Sequence, residues 1–189
     1  MKSTAALLLG VLLGVSAYSA RANYDIQIVT TTNGTSPNAV FDVDGTTKVD
    51  NTFFGQITVN GTFLSNIFTF GQNGASVVPG LNGYLSAGTI SVTSATLFGG
   101  STASIQLFAF KGAANYTAAT TTIGAKIGSA ASPITVTLGG LNQAGDTSFT
   151  VPNLASMPGF TMSTVAVPEP ATIALGLFGA AGLFIRRRK

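Results

Sequence analysis

Between residue 23 and about residue 165, apolar and polar positions alternate in short runs that are broken by glycine and asparagine. The run 24–31, YDIQIVTT, sets Ile26 and Ile28 against polar neighbours with the period of two that a half-buried strand requires. Runs 53–59, 62–70, 89–98, 103–110, 134–138 and 148–151 behave in the same way, and phenylalanine dominates their apolar positions. Asn60-Gly61 between two of them is a tight-hairpin signal, and Asn82-Gly83, Gly99-Gly100 and Gly139-Gly140 mark further turns. Several short strands at close spacing, without a long amphipathic helix, predict a mainly β fold: a single domain built as an antiparallel β-sandwich or jelly roll over residues 23–165. Segment 113–131 mixes helix-favouring Ala with Thr and Gly, and reads as a long loop with at most a short strand or helical turn. Segment 160–166 is either a last strand or a spacer.

The two ends break this pattern. Met1 and Lys2 precede an apolar run over 5–15 and the small-residue stretch Ala20-Arg21-Ala22. A basic start, a short apolar core and an A-x-A site make residues 1–22 a secretory signal peptide, cut by signal peptidase before Asn23. At the other end Val167-Pro168-Glu169-Pro170 leads into an apolar segment, 171–185, and then Arg186-Arg187-Arg188-Lys189. Fifteen helical residues reach roughly 22 Å, short of the roughly 30 Å hydrocarbon core, so a transmembrane helix here needs local thinning or snorkelling arginines. Its large apolar side chains favour insertion by on the order of 2 to 4 kcal/mol. The basic cluster would stay in the cytoplasm and leave the middle domain outside.

The order of Pro168, Glu169 and Pro170, the apolar helix 171–185 and the basic tail 186–189 resembles the PEP-CTERM sorting signal of Gram-negative bacteria. The resemblance covers residues 166–189. It implies recognition and cleavage by an exosortase, a membrane-embedded cysteine protease, in bacteria that commonly make exopolysaccharide and biofilm matrix. An inner-membrane-inserted precursor, followed by delivery to the cell surface, outer envelope or medium, is the localisation it implies. The prolines bar helix and bias Val167 and Glu169 toward extended backbone, which would keep the stretch accessible to a protease.

Composition narrows the chemistry of the middle domain. Only 8% of residues are charged, against roughly 25% in an average soluble domain, and Thr, Ser, Asn and Gly supply the polar surface instead. The formal charge of +3 would raise a nucleic-acid partner, but Lys2, Arg21, Arg186, Arg187, Arg188 and Lys189 all sit in the terminal segments. Between them Lys48, Lys111 and Lys126 face Asp25, Asp42, Asp44, Asp50 and Asp146, so the domain is mildly acidic and no nucleic-acid partner is expected. The chain has no Cys, His or Trp. It therefore offers no disulfide, thiolate nucleophile, His-based triad or His-ligated metal, and no indole for sugar stacking.

The clustered acidity is Asp42, Asp44 and, farther on, Asp50. Oxygen-rich loops of this kind bind Ca²⁺, but the spacing lacks the fifth and twelfth ligands of an EF-hand, and Asp-Gly is also an ordinary turn dipeptide. Asp42 and Asp44 could share a strand face at the separation of a glycosidase pair, though nothing marks either as the acid. Tyr24, Tyr84 and Tyr116 could stack on sugars or serve as half-buried sheet residues. Asn33, Asn60 and Asn115 stand in N-glycosylation sequons, a pattern common in any chain rich in Asn and Thr. No cofactor and no enzymatic activity is expected. The sequence points to a structural or adhesive surface component linked to exopolysaccharide or biofilm, with a carbohydrate-binding module as the alternative and a secreted glycoside hydrolase as a weaker one.

Overall fold

The computed structural model describes residues 22–31 and 38–166. The fold is mainly β. In chain order the strands are β1 (Ala22–Val29), β2 (Val40–Phe41), β3 (Phe54–Val59), β4 (Thr62–Phe63), β5 (Phe68–Thr69), β6 (Gln72–Asn73), β7 (Ser76–Val77), β8 (Ser86–Ser94) and β9 (Thr102–Lys111). One turn of helix, α1 (Tyr116–Ala119), follows, and then β10 (Lys126–Ser129), β11 (Ile134–Thr137), β12 (Gly140–Leu141), β13 (Ser148–Phe149), β14 (Phe160–Thr161) and β15 (Ser163–Thr164). Segment 113–131 thus holds both a helical turn and a strand. Two compact units are distinguished: described residues 22–27, 89–103 and 136–152 form the smaller, and the remainder the larger.

The larger unit is organised on a seven-stranded sheet in the order β15-β10-β9-β3-β4, with β5 also paired to β3 and β11 to β9. Its centre is the antiparallel pair β3–β9, in register from Phe54 opposite Phe110 to Val59 opposite Ile105. Alternation along β9 buries Ile105, Leu107 and Ala109 on one face, where they meet Ile57 and Val59 of β3. Phe108 points to the other face and packs edge-on against Phe63 and Tyr116, at ring separations of 4.9 and 4.7 Å. Gln56 is a buried polar side chain of this sheet, and both ends of its amide are used. Its nitrogen donates to the Leu64 carbonyl at 2.7 Å, and its oxygen accepts from the Tyr116 backbone N–H at 3.2 Å. A buried polar group left unpaired would be costly, so Gln56 fixes where α1 begins. Asn115 caps that turn by accepting from Ala118 N–H.

The hairpin expected at Asn60-Gly61 joins β3 to β4, with both residues in the left-handed region (φ 50° and 79°) as a two-residue turn demands. One pairing departs from the antiparallel expectation. β14 runs parallel to β2, Phe160 opposite Val40 and Thr161 opposite Phe41. Parallel neighbours require a long connection, and a partner some 120 positions distant leaves no local sign in the sequence. Backbone bonds from Val165 N–H to the Ala125 carbonyl (2.8 Å) and from Gly124 N–H to the Val165 carbonyl (3.1 Å) carry the edge of the sheet to residue 165.

In the smaller unit, β1 alternates as its sequence predicts, with Tyr24 and Ile26 buried and Asn23 exposed. The Asp25 backbone exchanges two hydrogen bonds with Gly139, at 3.0 and 3.1 Å. β12 and β13 pair antiparallel, Gly140 opposite Phe149 and Leu141 opposite Ser148. Gly99 N–H donates to the Leu141 carbonyl and Gly100 N–H to the Leu138 carbonyl, each at 2.8 Å, which locks the 99–101 turn against β12. Among the described residues no helix is long and apolar enough to cross a membrane. The expected signal peptide and the expected helix 171–185 lie outside the described residues, save that Ala22 opens β1.

Candidate binding site

The acidic loop of the larger unit is a hairpin turn. Asp42 N–H donates to the Thr47 carbonyl and Gly45 N–H to the Asp42 carbonyl, returning the chain from Phe41 to Lys48. Its three carboxylates go separate ways. Asp42 accepts from the Lys126 ammonium with both oxygens, at 2.7 and 2.6 Å, the two side chains being 21% and 29% exposed. Asp44 turns back on its own loop and accepts from the Thr47 hydroxyl and from the Thr46 and Thr47 N–H groups. Those bonds, the Thr47 hydroxyl foremost, hold its pKa down to about 2. Asp50 accepts from the Thr52 hydroxyl and N–H at 2.6 and 2.9 Å, and its pKa is lowered chiefly by that hydroxyl. Among the described residues no three His, Cys, Asp or Glu side chains are grouped to hold a metal ion.

The three lysines of this unit all lie over aromatic rings. The Lys111 and Lys126 ammonium groups stand 4.5 and 5.5 Å from the Phe53 ring centre, and that of Lys48 stands 4.9 Å from the Tyr84 ring. Lys111 also donates to the Thr52 hydroxyl at 2.7 Å. The tyrosines weighed as sugar platforms are committed as well. Tyr24 and Tyr84 are buried, and Tyr116 packs between Phe63 and Phe108. Burial raises the pKa of Tyr24 and of Tyr116. Asn60 spends its side-chain oxygen on Ser104 N–H.

A recess opens elsewhere, in the smaller unit. It has a volume of about 480 Å³ and is lined by β1, by β8 and by the loop between β12 and β13. Alternation on β1 puts Asn23 and Asp25 on the exposed face, and the Ser91 hydroxyl of β8 donates to the Asp25 carboxylate. The β12–β13 loop is a self-bonded turn. Gly145 N–H donates to the Asn142 carbonyl, and the Asn142 side chain donates to Asp146 at 2.7 Å and accepts from Asp146 N–H at 3.1 Å. The Asn142 amide is also the main cause that lowers the Asp146 pKa. With the turn braced in this way, Gln143 and Ser148 project into the recess beside Leu141. None of these lining residues was singled out from the sequence as a site. They come from three distant segments, each an ordinary strand or turn, brought together by the pairing of β1 with β8 and by the Asp25–Gly139 bridge.

The sorting residues Ala20, Pro168, Glu169, Pro170, Arg186, Arg187 and Arg188 lie outside the described residues, and of Ala22 only the backbone is described. Comparison with curated proteins and with solved structures finds no match for the chain. Comparison with protein families finds one over residues 166–189, the PEP-CTERM protein-sorting motif. It begins at Ala166, one residue after the last backbone bond to the sheet. The chain thus carries a PEP-CTERM protein-sorting motif, which implies an exported protein processed by an exosortase.

Proposed function

We propose that the chain is a non-enzymatic structural or adhesive component of the bacterial cell surface or extracellular matrix, associated with exopolysaccharide and released to its final place by exosortase processing. The observation that carries the reading is the sorting motif at 166–189, joined to a mainly β domain rich in uncharged Thr, Ser, Asn and Gly. The lack of enzymatic activity is supported by residue chemistry. The chain has no His or Cys, and the carboxylate pair weighed as a glycosidase site is ill suited to acid catalysis. Asp42 is bound to Lys126, and Asp44 has a lowered pKa where a proton-donating carboxyl needs a raised one. The three lysines, each set on an aromatic ring, form no basic stripe for nucleic acid.

A second reading, a carbohydrate-binding module, is favoured by the polar recess of the smaller unit. The primary reading is tested by fractionating the producing bacterium and tracking the chain by antibody. The expected result is a processed form in the envelope or matrix, with a larger precursor accumulating in the membrane when Pro168, Glu169 and Pro170 are deleted. A cytoplasmic chain of unchanged mass in both strains would end it.

A further inference from the structure

We propose that the recess formed by β1, β8 and the β12–β13 loop binds a neutral saccharide. The proposal rests on the carbohydrate reading above and goes beyond it by naming the place and the class of sugar. Asn23, Gln143 and Ser148 line the recess and make no side-chain hydrogen bond among the described residues. Two primary amides and a hydroxyl together offer donors and acceptors side by side, which suits a ligand whose every hydroxyl both gives and takes a proton. Asp25 adds an acceptor, its other oxygen being held by the Ser91 hydroxyl so that the carboxylate has a fixed orientation. Leu141, 53% exposed, supplies the one large apolar surface against which the C–H face of a sugar ring can rest.

The charge of the lining selects the class. No Lys or Arg lines the recess, and its single ionisable group is a carboxylate. A uronate, sulfate or phosphate would meet repulsion and no counter-charge, whereas a neutral sugar needs none. The room is sufficient for a short stretch of chain, since about 480 Å³ lies within the usual range for ligand sites. No aromatic ring lines the recess, so one site binds weakly, with Kd on the order of 1 mM.

The test is an amide NMR titration of the isotope-labelled secreted protein with maltohexaose and N-acetylchitohexaose as neutral probes and polygalacturonate as the anionic one. At least one neutral oligomer is expected to shift resonances of Asn23, Asp25, Ser91 and residues 140–148. The double variant Gln143→Ala, Ser148→Ala is expected to weaken that binding about tenfold or more, the loss of two hydrogen bonds, at unchanged melting temperature because both side chains are exposed. Shifts confined to another surface would overturn this site and leave the carbohydrate reading standing. No shift with either neutral oligomer overturns both, and tighter binding of polygalacturonate at the same residues overturns the neutral class.

Discussion

Asp44 stays ionised far into acid because three donors from its own loop converge on its two oxygens, with the Thr47 hydroxyl contributing most. A folded-state pKa lowered from 3.8 to about 2 means the contribution is present above the unfolded value and lost as pH falls toward 2. A carboxyl-carbon NMR titration is expected to give a midpoint near 2 for Asp44, rising toward 3.8 in Thr47→Val. A midpoint that does not respond to the substitution would disprove the assignment of cause. Glycine decides a different matter at position 99. A methyl added there would collide with the Gly140 carbonyl, backbone that cannot rotate away. Gly99→Ala is therefore expected to cost about 1–3 kcal/mol or more in urea unfolding. Gly80→Ala, where a methyl meets nothing within 4 Å, is the control and is expected to be neutral or stabilising by up to about 1 kcal/mol. Equal losses at both positions would show that the 99–101 turn is not as close-packed as described.

At the scale of elements, the parallel pair β2–β14 and the edge pair β10–β15 tie the last described residues to the larger unit. Phe160 lies over Gly128, where an added methyl would fall 3.0 Å from its ring, and Met162 is buried. Two truncations separate the fold from the sorting motif. A chain ending at Val165 keeps both pairings. One ending at Pro158 loses them, along with the burial of Met162, the bond from Val165 N–H to the Ala125 carbonyl and the bond from Gly124 N–H to the Val165 carbonyl. The shorter chain is expected to unfold at least about 2 kcal/mol sooner than the longer, the cost of removing one buried Met and its backbone partners. Coincident unfolding curves would mean that β14 and β15 are dispensable. The loop 42–47 is the element whose chemistry the sequence left open. Alternating aspartates read first as a turn and second as a cation loop; Asp42 is held by Lys126, 84 residues away in the chain, while Asp44 and Asp50 turn back on the nearby Thr47 and Thr52.

For the molecule as a whole, processing is expected to invert its charge. Removal of 1–22 and 166–189 takes six of the nine basic residues and, of the six acidic ones, Glu169. Three lysines against five aspartates leave a net charge of −2, in place of +3. Isoelectric focusing of the form recovered from matrix should therefore give an acidic value; a value near the basic pI of 9.5 would mean the tail is retained. Whatever is written in short range was legible along the chain. Period-two alternation fixed β1, β3 and β9, because a strand's two faces are set by neighbouring residues alone. Asn60-Gly61 fixed a hairpin, because few other residues accept left-handed backbone, and the linear order of prolines, apolar residues and arginines sufficed for the sorting motif. Tertiary structure decided what depends on partners distant along the chain. It buried Tyr24 and Tyr84, which the sequence left as sheet residues or sugar platforms, and it laid β14 parallel to β2. It also gathered Asn23, Asp25, Ser91, Gln143 and Ser148 around one recess. No local pattern encodes such a convergence, because each residue is an ordinary surface position of its own strand or turn until long-range backbone pairing sets them side by side.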